Sequence, residues 1–518
     1  MLFAGKKPTL RFLPALLVLA AIIVWATINM NRSKRIPNTL RVAFPKGVSA
    51  SYYDPARIEY AAEYTFLQNI YSPLVEYSVS GELVSAVAEK FRWQGANAVF
   101  HIRKNLTTID GHTITAYDVE ASFKRLFIIG GNTHGDLKNL LCPGTKLRTL
   151  DSVCEGMGVA NNGNTFVLKF KERKTFLFSM LASMDFAVIP KNSIDRATMK
   201  IIDYRNTTGP YYVSRDSADG KILLSVNPGH FHWTPKIPQE VILMPSEEGD
   251  ALWSINMFSS GKIDHITNKD SSDWAKISLA KGSREANLHL TYPIHLHAVV
   301  FTEKGMKRLS KTERIAIAKR LKVLFLRKYL SRPGFEETKQ VIPVFGEGGL
   351  SRKQLDHIEN ISDSVNTSKP FTKEFICWNF FGASDSELNI EFPKGHFPWI
   401  GQSPSFIRDY KKYGGEPDCY LFRGDTGFQE DIGFIYYYFG FDFFSINKDD
   451  KKQWLDTYIS TRSKAERSKL LRAIHYKTLF DAKVAPVAAA PYSAVVRKPW
   501  QMSLSKFHAN NPIWRIHR

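Results

Sequence analysis

Residues 100–125 read FHIRKNLTTIDGHTITAYDVEASFKR, and this stretch carries the clearest structural pattern in the chain. Apolar and polar residues alternate at its start, which predicts a β-strand. Asp110-Gly111 is a turn signal. Thr115 suits the N-cap of a helix, and Asp118 follows three residues later in the capping-box position. The stretch therefore predicts a strand, a turn and a helix with one apolar face.

The alternation of strands and helices continues outward from this stretch. Leu40–Phe44 predicts an early strand, and Lys464–Phe480 predicts an amphipathic helix that is stopped by Pro486. The apolar run VAAA that follows predicts a buried strand. No repeat, heptad run or flexible linker divides the body. The pattern predicts an α/β fold of closely connected domains.

Positive charge is concentrated at the two ends of the 518 residues. The chain has 70 Lys and Arg against 50 Asp and Glu, a formal net charge of +20. Residues 1–35 contribute +6 and residues 497–518 contribute +5, and neither segment has an acidic residue. The body carries the rest, spread along its length, and lacks zinc-finger spacing, aromatic RNA-binding strands and Arg-rich helices. The charge therefore indicates a location at a membrane surface rather than nucleic-acid binding.

The segment Phe12–Met30 is uncharged and long enough to cross a bilayer as a helix. Two interpretations remain open. In one, residues 1–35 contain a signal peptide that is cleaved after the small-residue site Val24–Ala26. In the other, the segment is not cleaved and stays as a single membrane anchor. Both interpretations predict that the chain after Arg35 is an exported, extracytoplasmic body.

The 4 cysteines are too few for a disulfide-built scaffold. Cys142 and Cys154 bracket a short loop that a disulfide would close. Cys377 and Cys419 are a second candidate pair, although nothing in their local sequence favours it. Four buried free thiols remain the alternative.

Several motifs together resemble one family. Residues 100–125 are similar to the family pattern F.LR…dG.plTA.DVv.S..R, and other matching stretches follow in family order. On these motifs the chain resembles the family 5 extracytoplasmic solute-binding proteins of ABC transporters, of the oligopeptide- and dipeptide-binding type. The other matching stretches are Tyr53-Asp54-Pro55, residues 71–75, 81–84 and 88–91, Thr208-Gly209-Pro210-Tyr211, Gly261–Asp264 and Val495–Trp500.

The resemblance implies an α/β, two-lobed periplasmic-binding-protein fold of class II, in its large three-subdomain type, preceded by the N-terminal transmembrane or signal helix. The implied boundaries place the core of lobe I at residues 36–57, 187–270 and 488–518. An extra subdomain of lobe I would span residues 58–186, and lobe II would span residues 271–487.

The function implied by the resemblance is that of a receptor and not of an enzyme. It would capture a peptide or related small solute between its lobes and deliver it to the permease of an ABC importer. The expected protein is a periplasmic monomer without a cofactor, anchored to the inner membrane or released by signal cleavage. A second hypothesis is a membrane-tethered sensor or interaction protein that keeps the binding fold without transport.

Peptide-binding members of the family use an aspartate to pair with the ligand's α-amino group, and an ammonium–carboxylate contact is strong and directional. An ungapped match places that position on Gly427, so Asp425 takes the role only if the loop shifts by two residues. The other candidate ligand contacts are aromatic or basic residues that the resemblance brings near the cleft. They are Tyr52, Tyr53, Trp378, Phe380, Phe422 and Arg423.

Two His-x-His pairs are the candidate metal ligands of the sequence, and catalytic motifs are absent from it. The spacing of His230/His232 and of His295/His297 predicts that each pair places two imidazoles on one strand face. Neither pair has a carboxylate or cysteine at ligand spacing, so we expect no metal site. The sequence also lacks HExxH, GxSxG and Walker motifs, which agrees with the expected absence of catalysis.

Overall fold

The computed structural model describes residues 38–45, 49–58, 61–130, 135–174, 176–246, 252–266, 273–330, 334–342, 346–378, 385–398, 415–424, 443–505 and 511–518. Its helices are α1 (Ala61–Ile70), α2 (Ala116–Ile129), α3 (Gly135–Leu141), α4 (Leu177–Leu181), α5 (Trp253–Ser259), α6 (Asp273–Gly282), α7 (Glu303–Arg308), α8 (Lys311–Tyr329), α9 (Arg352–Asp363), α10 (Asp385–Glu391), α11 (Lys448–Ser460) and α12 (Lys464–Phe480). Its strands are β1 (Thr39–Pro45), β2 (Val75–Tyr77), β3 (Leu83–Ser85), β4 (Ala88–Gln94), β5 (Asn97–Ile102), β6 (Met157–Ala160), β7 (Thr165–Leu168), β8 (Tyr211–Asp216), β9 (Ile222–Val226), β10 (Glu240–Ser246), β11 (His265–Ile266), β12 (Ala286–Phe301), β13 (Glu336–Glu337), β14 (Phe375–Trp378), β15 (Gly395–His396), β16 (Cys419–Gly424), β17 (Val484–Arg497), β18 (Gln501–Met502) and β19 (Ile516–His517).

An 11-stranded sheet runs through the molecule in the order β15-β14-β16-β12-β17-β11-β1-β10-β9-β8, with β13 also paired to β17. The two long central strands, β12 and β17, have 16 and 14 residues and pair antiparallel. β17 reads VAPVAAAPYSAVVR and is buried along most of its length. The predicted buried strand is therefore confirmed, although it begins at Val484, before Pro486.

One end of this sheet, which we call lobe I, consists of β8 to β11, β1 and the adjoining ends of β12 and β17. β1 begins one residue before the predicted strand and pairs parallel with both β10 and β11. The core of lobe I draws side chains from β1 (Leu40), α1 (Phe66) and β8 (Tyr211), and also from the C-terminal segment (Ile513). Both ends of the described chain are therefore built into the same lobe.

A second, 4-stranded sheet, β4-β5-β7-β6, packs with α2 around a separate apolar core. It contains the predicted strand, turn and helix, which are confirmed. Gly111 has a φ of +84° in the turn, a conformation that side chains with a Cβ rarely adopt. The buried Asp118 Oδ2 accepts hydrogen bonds from the Thr115 N–H and hydroxyl at 2.8 and 2.9 Å. A disulfide joins Cys142 and Cys154 inside this core.

The opposite end of the large sheet, which we call lobe II, consists of β13 to β16 and the adjoining ends of β12 and β17. Because side chains alternate across a strand, β12 contributes to a core on each face of the sheet. Val300 packs in the core that includes Leu471 of α12, and Val299 packs in the core that includes Ile317 of α8. The predicted amphipathic helix is confirmed with the same bounds, Lys464–Phe480.

Within the described ranges, no helix is both long enough and apolar enough to span a bilayer. The N-terminal segment Phe12–Met30 lies outside the described residues.

Candidate functional site

The antiparallel ribbon of β12 and β17 joins the two lobes. β12 runs from lobe I, where Leu288 pairs with Val495, to lobe II, where Val300 pairs with Val484. β11 joins the lobe I end of the ribbon at Val495, whereas β16 joins the lobe II end from Leu296 onward. The two halves of the sheet therefore sit at opposite ends of one ribbon.

The parallel strands of the two lobes point towards each other along this ribbon. β11 is antiparallel to β17 and parallel to β1, so both strands run in the direction of β12, towards lobe II. β16 is antiparallel to β12 and parallel to β14, so both of these run towards lobe I. The carboxyl ends of β1, β10 and β11 consequently face those of β14 and β16 across the middle of the ribbon.

Open α/β sheets bind ligands in the crevice outside the carboxyl ends of their parallel strands. In lobe I these ends are Pro45, Ser246 and Ile266, and in lobe II they are Trp378 and Gly424. Both sets border the same part of the ribbon. We call the space between them the interlobe cleft and take it as the candidate ligand site.

The middle of the ribbon is irregular. Pro293 pairs with Pro491, and the register shifts on both sides of this pair. Since proline has no N–H, the ladder loses donors on both strands at this point. The Thr291 hydroxyl compensates in part, because it accepts a hydrogen bond from the Tyr492 N–H at 2.8 Å. Such a weakened pairing is suited to bending.

Tyr292, with 46% of its surface exposed, lies in this irregular part of the ribbon. Tyr292 is not among the ligand contacts predicted from the sequence. The sequence signal was the aromatic-proline step Tyr292-Pro293 within a run of β-forming residues, matched by a proline-tyrosine step in VAAAPYSAVV. Only the strand pairing places the two steps opposite each other.

The two predicted tyrosines after β1 have different environments. The turn that carries them is held by Asp216, whose Oδ2 accepts a hydrogen bond from the Ala50 N–H at 2.7 Å. Tyr52 is 59% exposed, whereas Tyr53 is buried with its ring 4.5 Å from that of Phe66. Burial raises the pKa of the Tyr53 hydroxyl well above its ordinary value. Tyr52 is thus available to a ligand, and Tyr53 is part of the lobe I core.

The lobe II candidates are only partly described. Trp378, at the carboxyl end of β14, is 2% exposed, and Phe422 is buried with its ring 5.0 Å from that of Phe443. Arg423 is described only as a residue of β16, and Phe380 and Asp425 lie outside the described residues. The assignment of these residues to ligand contact stays a prediction. The structure does not bring the described candidates together into one surface.

Two of the motif residues that suggested the family have a structural role. Arg125 is 1% exposed and forms a two-pronged ion pair with Asp54, with Nη1–Oδ1 at 2.8 Å and Nη2–Oδ2 at 2.5 Å. Its Nε–H donates to the Met199 carbonyl at 2.7 Å. The pair ties the segment after β1 to α2.

A second motif cluster lies where β1, β11 and β17 meet. The Asp264 carboxylate accepts from Nε and Nη2 of Arg41, each at 2.9 Å. Its Oδ1 lies 3.6 Å from Nε of Arg497, and its carbonyl accepts from the Arg497 N–H at 2.7 Å. This network fastens the lobe I end of the ribbon.

The His230/His232 pair lies in a turn and not on a strand, so that expectation was wrong. The His230 N–H bonds to the Asn227 carbonyl, which closes the turn after Pro228-Gly229. His230 Nδ1 accepts from the His232 N–H at 3.1 Å, which leaves the ring proton on Nε2, 3.2 Å from the Ser72 hydroxyl. Burial lowers the pKa of His230 well below its ordinary value. In this tautomer the His230 Nε2–H donates to the Ser72 hydroxyl and cannot accept its proton. Ser72 and His230 are therefore not arranged as a nucleophile and a general base.

His295 and His297 do lie on one strand, β12, with ring centroids 5.1 Å apart. His295 stacks on Tyr492 at 4.9 Å. Among the residues that the structure describes, no group of three or more His, Cys, Asp or Glu side chains is placed to hold a metal ion.

Comparisons with known proteins agree with this geometry. The family model for bacterial extracellular solute-binding proteins, family 5 middle, matches residues 82–304. The periplasmic oligopeptide-binding protein OppA of Salmonella typhimurium is 26% identical over 236 residues, which are 43% of this chain and 42% of OppA. The match therefore spans about two fifths of that relative.

Solved structures resemble nearly the whole chain. AgaA from A. tumefaciens, in complex with agropinic acid, has a TM-score of 0.68 at 15% identity and covers 92% of this chain and 98% of its own. DppA from Helicobacter pylori, in complex with the peptide STSA, has a TM-score of 0.67 at 14% identity, with coverages of 94% and 99%. At such identities the shared property is the fold, which is the two-lobed, mixed α/β fold of periplasmic binding proteins. The motifs, the facing lobes and the family match agree, and over residues 82–304 the chain is similar to the family 5 bacterial extracellular solute-binding proteins.

Proposed function

We propose that this protein is an extracytoplasmic receptor that captures a peptide or related small solute between its lobes and delivers it to an ABC importer. The observation that carries the proposal is the arrangement of the sheet. The carboxyl ends of parallel strands from both lobes face one cleft, at a ribbon whose pairing is interrupted by Pro293 and Pro491. Both features suit the closure of two lobes on a ligand.

The ligand class follows from the relatives. OppA is named for oligopeptides, and the DppA and AgaA structures hold a tetrapeptide and agropinic acid. All three names describe small solutes, two of them peptides. We therefore place peptides first and other small solutes second.

Within the cleft we assign Asp425 to the ligand's ammonium group and the aromatic residues to its side chains. Asp425 directly follows Gly424, the last residue of β16, whose partner in β12 is Leu296 at the edge of the irregular stretch. A carboxylate directly after this strand would lie at the lobe II edge of the cleft. The remaining proposed contacts are Tyr52, Trp378, Phe380, Phe422 and Arg423, and Tyr53 is proposed to support the Tyr52 ring, whose centroid lies 5.9 Å from its own.

The location of the receptor also belongs to the proposal. We infer that residues 1–35 either anchor the protein in the inner membrane or direct its export, and that the body works in the periplasm as a monomer. The subdomain boundaries stay as implied by the family resemblance. A membrane anchor would raise the effective concentration of the receptor at its permease without any new contact.

Native mass spectrometry tests the proposal. The full chain, purified gently from a host that exports it, is expected to carry a peptide or another small solute that denaturation releases. An empty protein whose melting temperature no peptide pool raises would contradict the transport receptor. That outcome would favour a tethered sensor that keeps the fold without binding such ligands.

A further inference from the structure

Cys377 and Cys419 occupy neighbouring positions on adjacent strands of lobe II. β14 and β16 pair in parallel, and Cys377 is the register partner of Cys419. Both thiols are 0% exposed and belong to the same apolar core. Each cysteine is therefore the direct neighbour of the other across the two strands. The fold thus brings together two thiols that are far apart in the sequence.

The spacing of such a pair suits a disulfide. Neighbouring strands lie about 4.8 Å apart, and disulfides join residues whose Cα atoms are about 4.4–6.8 Å apart. Side chains of register partners leave the sheet on the same face, so neither strand has to turn over. The strands therefore need little movement to bring the sulfurs into bonding distance.

The other two cysteines indicate the redox environment. Cys142 and Cys154 are joined by a disulfide, and disulfides persist in oxidising compartments. A pair of neighbouring thiols that folds in the same compartment meets the same oxidants. We propose that Cys377 and Cys419 form a second disulfide in the mature protein, which covalently links β14 to β16.

The bond forms by thiol–disulfide exchange with a disulfide oxidant such as oxidised glutathione or the disulfide of a dithiol oxidase. One cysteine, as thiolate, attacks the oxidant and makes a mixed disulfide, releasing one thiol. The second cysteine then displaces the remaining half of the oxidant as a second thiol. Two cysteine thiols are oxidised to one disulfide, and one oxidant disulfide is reduced to two thiols.

This exchange takes place during folding and not in the finished protein. The folded core excludes both thiols from solvent, and burial together with the neighbouring Cys377 thiol raises the pKa of Cys419 well above its ordinary value. A protonated, enclosed thiol reacts slowly with an external disulfide. Once formed, the bond is protected from reductants by the same burial.

The bond would fix one wall of the interlobe cleft. Cys377 directly precedes Trp378 at the carboxyl end of β14, and β16 ends at Gly424. A covalent link between the strands holds these two ends at a constant spacing. It also closes the segment 378–418 into a loop, which restricts the unfolded chain.

Thiol counting tests the proposal independently of any ligand. The full chain is exported, purified without reductant, denatured and treated with iodoacetamide, and its intact mass is measured. The expected result is no added alkyl group, rising to four after reduction. A tryptic map is expected to contain a peptide pair joined through Cys377 and Cys419.

Matched variants assign the bond. Cys377→Ser and Cys419→Ser should each gain one alkyl group, and the double variant should gain none. Cys142→Ser/Cys154→Ser should gain none, because the second bond does not depend on the first. A sample unfolded in reductant and refolded with excess oxidised glutathione controls for incomplete oxidation in the host. Two alkyl groups per chain in both the exported and the refolded protein, or a bond from Cys377 to Cys142 or Cys154, would overturn the proposal.

Discussion

At the scale of single residues, the motifs that identify the family serve mainly to hold the protein together. Gly209 shows the reason clearly, since a Cβ at this position would lie 2.4 Å from the Ile70 carbonyl carbon. Asp118 is buried and serves three partners, among them the backbone N–H of Lys191 at 2.9 Å. Arg125 likewise holds the segment around Asp54 in place through its ion pair with the Asp54 carboxylate. Such residues resist substitution because their partners are backbone groups and charges buried within the protein.

The Arg125–Asp54 pair provides a direct test of this structural role. Removal of one member of a buried pair leaves the other charge unpaired, so Arg125→Ala should lower the free energy of unfolding by about 3–5 kcal/mol. Denaturant titration measures this loss. Arg196→Ala is the matched control, because its ion pair with Asp151 at 2.7 Å is exposed and should contribute little. Equal effects of the two variants would contradict a structural role for Arg125.

The proposed ammonium contact of Asp425 is a separate residue-scale prediction. Loss of a charge-assisted hydrogen bond costs about 1.5–3 kcal/mol, so Asp425→Ala should weaken binding of any peptide found in the native protein about tenfold or more. Isothermal titration calorimetry gives the affinity. Asp431→Ala removes an equal charge from the same stretch and should have little effect. If both variants bind like the wild type, Asp425 does not contact the ligand, and recognition depends on shape and backbone contacts.

At the scale of secondary-structure elements, periodicity predicted helices well and failed at the first histidine pair. The helix Lys464–Phe480 was predicted with its observed bounds because its apolar stripe and the following break at Pro486 agree. His230 and His232 were treated as a strand pair on spacing alone. Pro228-Gly229 immediately before them favours a turn, and that local signal determines the structure. Spacing of two residues is a weak indicator when a turn sequence precedes it.

Helix α12 carries a buried histidine that links stability to pH. His475 Nε2 accepts a hydrogen bond from the Val341 N–H at 3.2 Å, so its Nδ1 proton is donated to the Gly348 carbonyl at 2.8 Å. Burial lowers its pKa from 6.5 to about 4. Between these values the unfolded chain binds more protons than the folded one, so stability falls as the pH is lowered from 6.5 to 4. For this one group the loss is about 3 kcal/mol.

The pH dependence of unfolding in denaturant measures this effect. His475→Gln should flatten the slope between pH 6.5 and pH 4, although other buried histidines such as His230 and His265 preserve part of it. The exposed His396 offers a control, since His396→Gln should leave the slope unchanged. An unaltered slope in the His475 variant would show that the residue binds its proton equally in the folded and unfolded states.

At the scale of the whole molecule, the ribbon determines both the cleft and the way the lobes can move. Its two strands carry lobe I at one end and lobe II at the other, and the pairing weakens between them at Pro293 and Pro491.

The positive charge of the body is distributed differently from the even spread that we expected. Residues 303–328, at helices α7 and α8 of lobe II, contain ten Lys and Arg but two Glu. The charge of the body is therefore concentrated in lobe II.

Closure about the ribbon is testable in solution. A saturating peptide pool should lower the radius of gyration measured by small-angle X-ray scattering, because ligand contacts favour the state in which both lobes touch it. Asp425→Ala at the same peptide concentration should show a smaller decrease if its affinity is reduced. An unchanged radius despite calorimetric binding would argue that the lobes do not move on binding.

The sequence by itself determined the local structure and indicated the family resemblance. Apolar–polar alternation, capping residues and turn residues act over a few positions. The strand, turn and helix of residues 100–125 and the helix of residues 464–480 could therefore be predicted from their local sequence. The motif order then indicated the two-lobed fold. The partner of each strand is a different matter, because it depends on residues far away in the chain. Only the tertiary structure places the carboxyl ends of five parallel strands around one cleft, pairs Pro293 with Pro491, and sets Cys377 beside Cys419. The structure also distinguishes Tyr53 from Tyr52. The sequence does not reveal that the Tyr53 ring packs against Phe66 whereas Tyr52 faces solvent.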